Sequence, residues 1–297
     1  MYKKILITGA TGFIGKEILT QIKGKNISAI CLYRNKKNNI KNKNITWIKS
    51  SLTLSKKSLK IISTFAPEVV FHLAWDKIPN FNRKNCFQNF WLTSRFLSVI
   101  SKIDSVKKII ISGSCFEYYS KSGKKKENAK LNFVDNFPST KNILYKLALF
   151  LCKKKGIKLA WFRIFYAYGK HQRKDSLIPY MIKSIKNKKN IYINNPNLKL
   201  DYINIEDIAK FFLKTLSINF NSGVFNLGSG KSYTPITILK KISYILGLNY
   251  EKLKLNYFKE IDKNMFNSFE ACMNKTSQTF KIKKFKTLNN GLKKLLK

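Results

Sequence analysis

The chain has 297 residues, of which 44% are hydrophobic and 25% charged, and its mean hydropathy is -0.24. It is long and apolar enough for one large α/β domain, with or without a smaller second one. No apolar stretch approaches the ~20 residues of a membrane helix, and glycines interrupt the N-terminal apolar run where a signal peptide would continue. The five cysteines are scattered without a Cys-x-x-Cys pair. These features argue against membrane, secreted and metal-site proteins and predict a chain of the reducing cytoplasm.

The charge is strongly one-sided, with 58 basic against 15 acidic residues and a formal net charge of +43. Such a balance favours anionic ligands and raises the alternative of a nucleic-acid-associated protein. However, only five of the basic residues are Arg, the residue preferred for bidentate recognition of bases and phosphates. The lysines are also spread over the whole chain. We therefore expect no specific nucleic acid partner.

Short apolar runs alternate with helical patterns through residues 1–165. Apolar strands separated by helices indicate a parallel sheet covered on both faces, the doubly wound α/β class. Strands are predicted over Lys4–Thr8, Ile27–Tyr33, Ile45–Ile48, Glu68–Leu73, Lys108–Ser112 and Lys158–Phe165. Helices are predicted over Phe13–Ile22, Arg83–Ser101 and Ser139–Lys154, and in the second half near Ser176–Lys189, Glu206–Leu216 and Pro235–Leu246.

A glycine-rich loop joins the first predicted strand to the first predicted helix. Gly9 permits a tight turn, Gly12 lets the backbone approach a pyrophosphate, and Gly15 lets the helix pack closely on the strand. The free N–H groups of the helix N-terminus then stabilise the phosphate charge. The alternative is an ordinary strand–helix turn, which this spacing and placement disfavour. The loop predicts a dinucleotide site.

The segment TGATGFIG resembles the fingerprint of the extended short-chain dehydrogenase/reductases, the NAD-dependent epimerase/dehydratase family that acts on nucleotide sugars. Other segments resemble the family in chain order, namely Pro67–Ala74, Arg163–Gly169, Ser176–Pro179, Asp201–Ala209 and Gly223–Gly230. The resemblance implies a Rossmann-like doubly wound parallel sheet with a smaller C-terminal substrate-binding lobe. It also implies a nucleotide-diphosphate sugar as substrate and a homodimer formed through two helices.

The same resemblance implies a division of the chain. Residues 1–165 would bind NAD(P), residues 200–227 would return to that domain, and the rest of 166–297 would form most of the substrate lobe. The implied cofactor contacts are Gly9, Thr11, Gly12, Phe13, Ile14, Gly15, Leu73, Ala74 and Lys146.

The end of the second strand bears on the choice between NAD and NADP. Family members that use NAD usually place Asp or Glu there to bind the ribose 2′-hydroxyl, whereas this chain has Arg34. Arg34 can pair with a 2′-phosphate, so the sequence slightly favours NADP; a solvated surface Arg is the alternative. Ser51 stands where an Asp of the family commonly contacts the adenine.

The family's chemistry uses a Ser or Thr, a Tyr and a Lys. By its distance from Tyr118, Ser114 takes the serine position, and its hydroxyl would bind the reacting sugar oxygen. Tyr118 and Tyr166 are expected to contact the substrate. No Asp-Glu pair follows Ser114, unlike the related 4,6-dehydratases. The segment is closer to that of reductases and epimerases of 4-keto-6-deoxy sugars.

The helix that should carry the tyrosine and lysine departs from the family's pattern. Aligning Pro138–Ala148 with that helix puts Lys146 at the lysine position and Asn142 at the tyrosine position. An amide can bind a substrate oxygen but does not titrate near neutral pH. Tyr145 could substitute as the proton-transfer group; packing is its alternative role. A literal Tyr-x-x-x-Lys ending at Lys170 is interpreted as a decoy, because its glycine disfavours a helix.

We therefore predict an NAD(P)-dependent nucleotide-sugar epimerase or reductase of the 4-keto-6-deoxy type, serving surface-polysaccharide synthesis. The first alternative is a cofactor-binding pseudoenzyme or scaffold. It is kept because Asn142, Ser51 and Leu200 stand where the family has Tyr, Asp and a diphosphate-binding Arg. The remote alternative is the nucleic-acid-associated basic protein.

Overall fold

A computed structural model describes residues 2–35, 42–257, 268–282 and 285–297. Within those ranges the strands are β1 (Lys4–Thr8), β2 (Ser28–Tyr33), β3 (Ile45–Lys49), β4 (Val69–His72), β5 (Lys108–Ser114), β6 (Gly123–Lys125), β7 (Lys158–Ile164), β8 (Tyr166–Tyr168), β9 (Ile191–Ile193), β10 (Leu200–Asn204), β11 (Gly223–Leu227), β12 (Ser232–Tyr233), β13 (Leu255–Tyr257) and β14 (Phe269–Ala271). The α-helices are α1 (Phe13–Ile22), α2 (Lys56–Phe65), α3 (Arg83–Ile100), α4 (Asn136–Lys154), α5 (Leu177–Lys186), α6 (Ile205–Lys214), α7 (Pro235–Ile245), α8 (Asn274–Phe280) and α9 (Leu288–Leu296).

The larger sheet has seven parallel strands in the order β11-β7-β5-β4-β1-β2-β3. Its central strands are buried on both faces, which explains why they are apolar runs and not alternating patterns. One face packs against α1 and α6, and the other against α2, α3 and α4. The doubly wound α/β prediction is confirmed.

A second lobe lies beside this sheet. It contains a sheet in the order β12-β10-β14-β6, with β8 paired to β10, and a two-stranded ribbon of β9 and β13. Helices α5, α7 and α9 share its apolar core. Strand β6 pairs with β14 in this sheet, so the N-terminal half of the chain also contributes to this lobe.

Residues 200–227 divide between the two parts of the molecule. Strand β10 lies in the smaller sheet, whereas α6 packs against α1, and β11 pairs with β7 at the edge of the larger sheet. The chain therefore crosses from one lobe to the other within this segment.

Helix α4 begins earlier than the sequence predicted. It starts at Asn136 and not at Ser139, so Phe137 and Pro138 lie in its first turn. A proline is tolerated in the first turn because the N–H it lacks has no intrahelical partner there. This shift brings Phe137 onto the helix, with consequences for the site.

Three further observations concern the class of protein. Among the described residues, no helix is both long enough and apolar enough to cross a membrane. All five cysteines are buried free thiols. In the described part of the chain, no cluster of His, Cys, Asp and Glu could hold a metal ion.

Candidate functional site

A cavity of about 670 Å³, here called the main cavity, opens at the carboxyl ends of strands β1, β2, β4 and β5. Ligands of doubly wound sheets bind at this edge, where the loops that follow the strands diverge. Its wall is formed by the loop of residues 8–15, the residues that follow β2, β3 and β4, the end of β5 and the first turns of α4. The smaller lobe adds Phe165 and Ala167.

The glycine loop has the close backbone approach that its spacing predicted. Gly9 has a φ of +70°, and a Cβ there would lie 2.7 Å from the backbone N of Ala74. A Cβ on Gly15 would overlap the carbonyl oxygen of Gly9, so α1 could not pack this near the loop with any larger residue. The loop therefore requires residues without a side chain at Gly9 and Gly15.

The N-terminus of α1 opens toward the main cavity. Its N-cap residue, Gly12, provides no side-chain cap, and no acidic residue lies in the first turn. The free N–H groups and the positive end of the helix dipole therefore remain suited to a pyrophosphate. Together with the glycine cradle, these features fit a dinucleotide. The predicted cofactor contacts that line the cavity are Gly9, Thr11, Gly12, Phe13, Ile14, Gly15, Arg34, Leu73 and Ala74.

Arg34, the residue interpreted as a 2′-phosphate ligand, already has a partner. Its Nη1 and Nη2 atoms each lie 2.8 Å from an oxygen of Asp76, which follows β4. The hydrogen bond from Arg34 lowers the pKa of the Asp76 carboxyl. Because β2 and β4 flank β1, this ion pair spans the end of β1 beside the glycine loop. Ser51 also lines the cavity.

Ser114 lies at the end of β5 and lines the main cavity, as the sequence predicted. Its backbone N–H donates to Glu117 Oε1 at 2.8 Å, and its Oγ accepts from the N–H of Phe116 at 3.2 Å. Glu117 is fully buried and also accepts from Trp161 Nε1 and Arg163 Nε. This network fixes the backbone that presents the Ser114 hydroxyl.

Lys141 is a site residue that the sequence reasoning missed. It is buried on α4, lines the main cavity, and its Nζ donates to the carbonyl oxygen of Ser112 at 2.9 Å. The same Nζ lies 4.2 Å from the centroid of the Trp75 ring. Desolvation by burial lowers the pKa of Lys141 to about 8.

Phe137 lies one helical turn before Lys141 and also lines the main cavity. Its ring stacks on Phe81 with centroids 4.2 Å apart and meets the edge of Trp75 at 5.0 Å. Phe137 and Lys141 thus have the four-residue spacing that the resemblance implies for the catalytic tyrosine and lysine. At the tyrosine position of this face, the chain has a phenyl ring without a hydroxyl.

The predicted placement of Lys146, Asn142 and Tyr145 in the site is wrong. Lys146 is exposed, with its Nζ 5.5 Å from the Phe133 ring centroid, because five residues along a helix rotate it ~140° from Lys141. The buried amide of Asn142 donates to backbone oxygens of Glu117 and Asn132. Tyr145 packs against Trp161, its alternative role. The aromatic-lysine spacing of Phe137 and Lys141 was the signal that could have corrected this register.

The two tyrosines expected at the substrate do not line the main cavity either. The Tyr118 hydroxyl donates to Asn226 Oδ1 at 2.6 Å inside the protein. Tyr166 packs against the rings of Phe116, Tyr202 and Phe269. Burial raises the pKa of its phenol. Tyr118 acts in packing and internal hydrogen bonding in this structure. The literal motif that starts at Tyr166 lies on a strand and not on a helix, as interpreted.

His72 ends β4 near the cavity, but its ring is engaged in the core. Its Nδ1 lies 2.8 Å from Thr8 Oγ1 and its Nε2 lies 3.3 Å from Thr93 Oγ1. Desolvation and the nearby Lys141 charge lower the pKa of His72 to about 3. His72 is therefore a neutral structural residue at neutral pH.

Fold and site together define a dinucleotide-binding protein of the Rossmann type. Comparison with known families then shows that residues 5–228 match the NAD dependent epimerase/dehydratase family. The chain belongs to this family. As a member, it is an enzyme of the epimerase and reductase class whose cofactor is NAD or NADP.

The chain is also similar, over most of its length, to individual named proteins. The chain is 28% identical over 259 residues to a dTDP-4-dehydro-6-deoxyglucose reductase of Escherichia coli, covering 82% of this chain and 81% of the relative. It is 26% identical over 265 residues to a CDP-abequose synthase of Salmonella muenchen, covering 86% and 84%. A UDP-N-acetylglucosamine 4-epimerase from Methanobrevibacter ruminantium M1 has the same fold, with a TM-score of 0.85, 21% identity and coverage of 99% and 97%.

Proposed function

We propose that the protein is an NAD(P)-dependent reductase of a nucleotide-diphosphate sugar that has a keto group, of the 4-keto-6-deoxy class. The E. coli relative supports this substrate class by its name. The site supports it through the main cavity, which places the glycine loop and Ser114 in one space of about 670 Å³.

The observation that favours reduction over epimerisation is the pairing of Lys141 with Phe137. Epimerisation requires a group that removes a proton from a sugar hydroxyl and later returns it. Reduction requires only that a proton reach the carbonyl oxygen. Tyr33 is the one tyrosine among the described residues that line the cavity. It ends β2, and strands β1 and β4 separate it from Ser114 at the end of β5. Lys141, with a pKa of about 8, is mostly protonated at neutral pH and suits delivery.

The chain's own residues then have separate tasks. The glycine loop and the N-terminus of α1 would hold the pyrophosphate of the dinucleotide. When bound, a reduced nicotinamide dinucleotide supplies the hydride. Ser114 Oγ would hydrogen-bond the carbonyl oxygen of the sugar, while the aromatic rings of Trp75, Phe81 and Phe137 exclude water from this end of the cavity.

A turnover assay tests this function. The purified protein is mixed with NADH or NADPH and a panel of 4-keto-6-deoxy nucleotide sugars, and both cofactor oxidation and sugar product are quantified. A reductase oxidises one cofactor for each product molecule. An epimerase would form product without net cofactor oxidation. Tight dinucleotide binding without any product would instead support the pseudoenzyme.

We also propose that the protein forms a homodimer through α3 and α4. These helices pack side by side on one face of the larger sheet, and both expose large apolar side chains to solvent. The exposed residues are Phe87 and Trp91 on α3 and Ile143 and Phe150 on α4. Their spacings of four and seven residues put each pair on one face of its helix. Several large apolar side chains exposed on two neighbouring helices are typical of a protein interface.

We also propose a cytoplasmic location. The five buried thiols are suited to a reducing compartment. A reductase also needs the supply of reduced dinucleotide that the cytoplasm provides.

A further inference from the structure

The main cavity contains an unusual arrangement of proton-bearing groups. Among the described residues that line it, those that titrate are Tyr33, Arg34, Asp76 and Lys141. Arg34 and Asp76 are bound to each other near the end of β2, where Tyr33 also lies. Lys141 alone among these four contacts the segment that contains Ser114, through the carbonyl of Ser112.

The surroundings of Lys141 enclose its ammonium group but do not use all of its hydrogen-bond donors. Of its three N–H donors, one is directed at the Ser112 oxygen, and the rings of Trp75, Phe137 and Trp161 surround the Nζ with centroids at 4.2, 5.8 and 5.8 Å. In the described contacts no carboxylate binds the Nζ directly. Donor capacity therefore remains for a ligand oxygen in the cavity.

The charged and titratable groups around Lys141 come from three elements. Glu117, in the turn after β5, and Cys86, on α3, both raise the pKa of Lys141, but desolvation outweighs them and the pKa falls. His72 on β4 stays neutral and adds no positive charge. Taken together, these groups and the burial make Lys141 lose its proton more readily than a lysine in water does.

We propose that the Lys141 ammonium, and not a tyrosine phenol, delivers the proton to the carbonyl oxygen of the sugar. The inference rests on the proposed reductase function. The Nζ–H bond of Lys141 breaks as an O–H bond forms on the sugar, and the carbonyl carbon takes the hydride of the reduced nicotinamide dinucleotide. Water then returns a proton to the neutral amine. Ser114 keeps the carbonyl oxygen in place, and Phe137 fills the position of the missing phenol without donating.

Three variants separate this role from a merely electrostatic one. Lys141→Arg keeps the positive charge but holds its proton too tightly to donate it near neutral pH. We expect it to lose about 10²-fold or more of the reduction rate, the scale of general acid catalysis. Adding Phe137→Tyr supplies a phenol, so the double variant Phe137→Tyr/Lys141→Arg recovers much of that loss. The control is Lys146→Arg, which makes the same change at an exposed lysine of the same helix and keeps the wild-type rate.

The pH profile provides a second readout. Because the protonated amine is the acid, the wild-type rate falls as pH rises through the pKa of Lys141, near 8. In the Phe137→Tyr/Lys141→Arg variant, this fall moves to the pKa of the new phenol. Circular dichroism and the Kd for the dinucleotide confirm that each variant is folded and binds cofactor.

A third readout uses the cofactor-free protein and no turnover. NMR of lysine labelled at Cε follows the titration of each ammonium, and the Lys141→Met spectrum identifies the Lys141 signal. We expect it to titrate near 8, well below the ~10.4 of ordinary lysines. A Lys141 signal that titrates with the others contradicts the proposal.

The experiments distinguish failure of the proton-donor role of Lys141 from failure of the reductase function. If the wild type reduces a keto sugar and Lys141→Arg does so at the same rate and with the same pH profile, another group is the acid and only the inference fails. If the wild type reduces none of the sugars tested, the reductase function fails and the proton-donor role falls with it.

Discussion

At the scale of single residues, the buried carboxylate of Glu117 connects the stability of the protein to its site. It lies beneath Ser114 and accepts hydrogen bonds from three donors, including the buried Arg163 guanidinium at 2.8 Å. Both members of this ion pair are almost completely enclosed, so neither can exchange its partner for water. Removing one charge leaves the other uncompensated.

We expect Glu117→Gln to destabilise the folded protein by about 3–5 kcal/mol, the usual cost of breaking a buried ion pair. The amide cannot accept from all three donors, so the Ser114 backbone should also loosen. Urea unfolding followed by tryptophan fluorescence measures the free energy. Glu251→Gln, at an exposed position, is the control and should change it by less than about 0.5 kcal/mol. A Glu117→Gln protein as stable as this control would show that the pair contributes little.

The Arg34–Asp76 ion pair bears on the choice of cofactor. Because Asp76 occupies both terminal nitrogens of Arg34, a 2′-phosphate must compete with it for the guanidinium. The sequence showed Arg34 but not its partner, since Asp76 lies 42 residues away on another loop. The preference for NADP inferred from Arg34 alone is therefore weakened by the structure.

Asp76→Asn should free Arg34 and raise the affinity for NADPH relative to NADH. The pair is partly exposed, so we expect a change of about fivefold, equivalent to ~1 kcal/mol. Quenching of Trp75, which lines the cavity, reports the Kd of each cofactor. Arg34→Ala should remove the discrimination, and an unchanged NADPH to NADH ratio in Asp76→Asn would contradict this role for the pair.

At the scale of elements, the apolar strands of the larger sheet were predictable because burial on both faces leaves an unmistakable sequence pattern. Strand β1 and helix α1 have the predicted bounds. Helix α2 was not predicted; it is short, and only Ser58 and Ile62 of its residues are buried. The short strands of the smaller sheet were missed because two or three residues carry no periodicity.

The error in the predicted start of helix α4 led to the wrong choice of lysine in the site. Placing the first turn after Pro138 left Phe137 outside the helix, and the lysine position was then assigned five residues too late. The location of Ser114 at the cavity was predictable because the residue lies at the end of strand β5, and its catalytic role stays a prediction. The location of Lys141 was not predicted, since its burial depends on Trp75 and Ser112, which are distant in sequence.

The contact between helix α1 and the glycine loop provides a prediction at this scale. Gly15→Ala places a methyl group against the Gly9 carbonyl and the Ala10 backbone, so the helix must move away. We expect a loss of about 1–3 kcal/mol in the free energy of unfolding, the range for overpacking, together with weaker dinucleotide binding. Urea unfolding and cofactor titration measure the two effects.

Gly223→Ala is the matched control for this substitution. Gly223 lies in strand β11, and the nearest atom that its Cβ would meet is the flexible Lys275 Nζ at 3.6 Å. It should leave dinucleotide binding unchanged. If Gly15→Ala bound the dinucleotide as tightly as Gly223→Ala, the close approach of α1 to the loop would not be required for binding.

At the scale of the whole molecule, the exposed apolar face of α3 and α4 predicts the oligomeric state. Phe87 is 69% exposed in the single chain and lies four residues before the exposed Trp91, on the same face of α3. Phe87→Glu should convert the dimer to a monomer, because a charge at an apolar interface is costly to bury. Sedimentation velocity measures the change.

A control for the dimer prediction lies in the other lobe. Tyr244, on α7, is 79% exposed and does not belong to the α3–α4 face. Tyr244→Glu should leave the dimer intact. A wild-type protein that sediments as a monomer would contradict the proposed interface directly.

The most direct test of the proposed reductase function follows the hydrogen itself. The protein is incubated with a 4-keto-6-deoxy nucleotide sugar and a reduced nicotinamide dinucleotide bearing deuterium at the transferred position, and the sugar is analysed by mass spectrometry. Reduction predicts one deuterium on carbon in each product molecule. An unlabelled epimer, or no product while the dinucleotide binds tightly, would contradict a reductase.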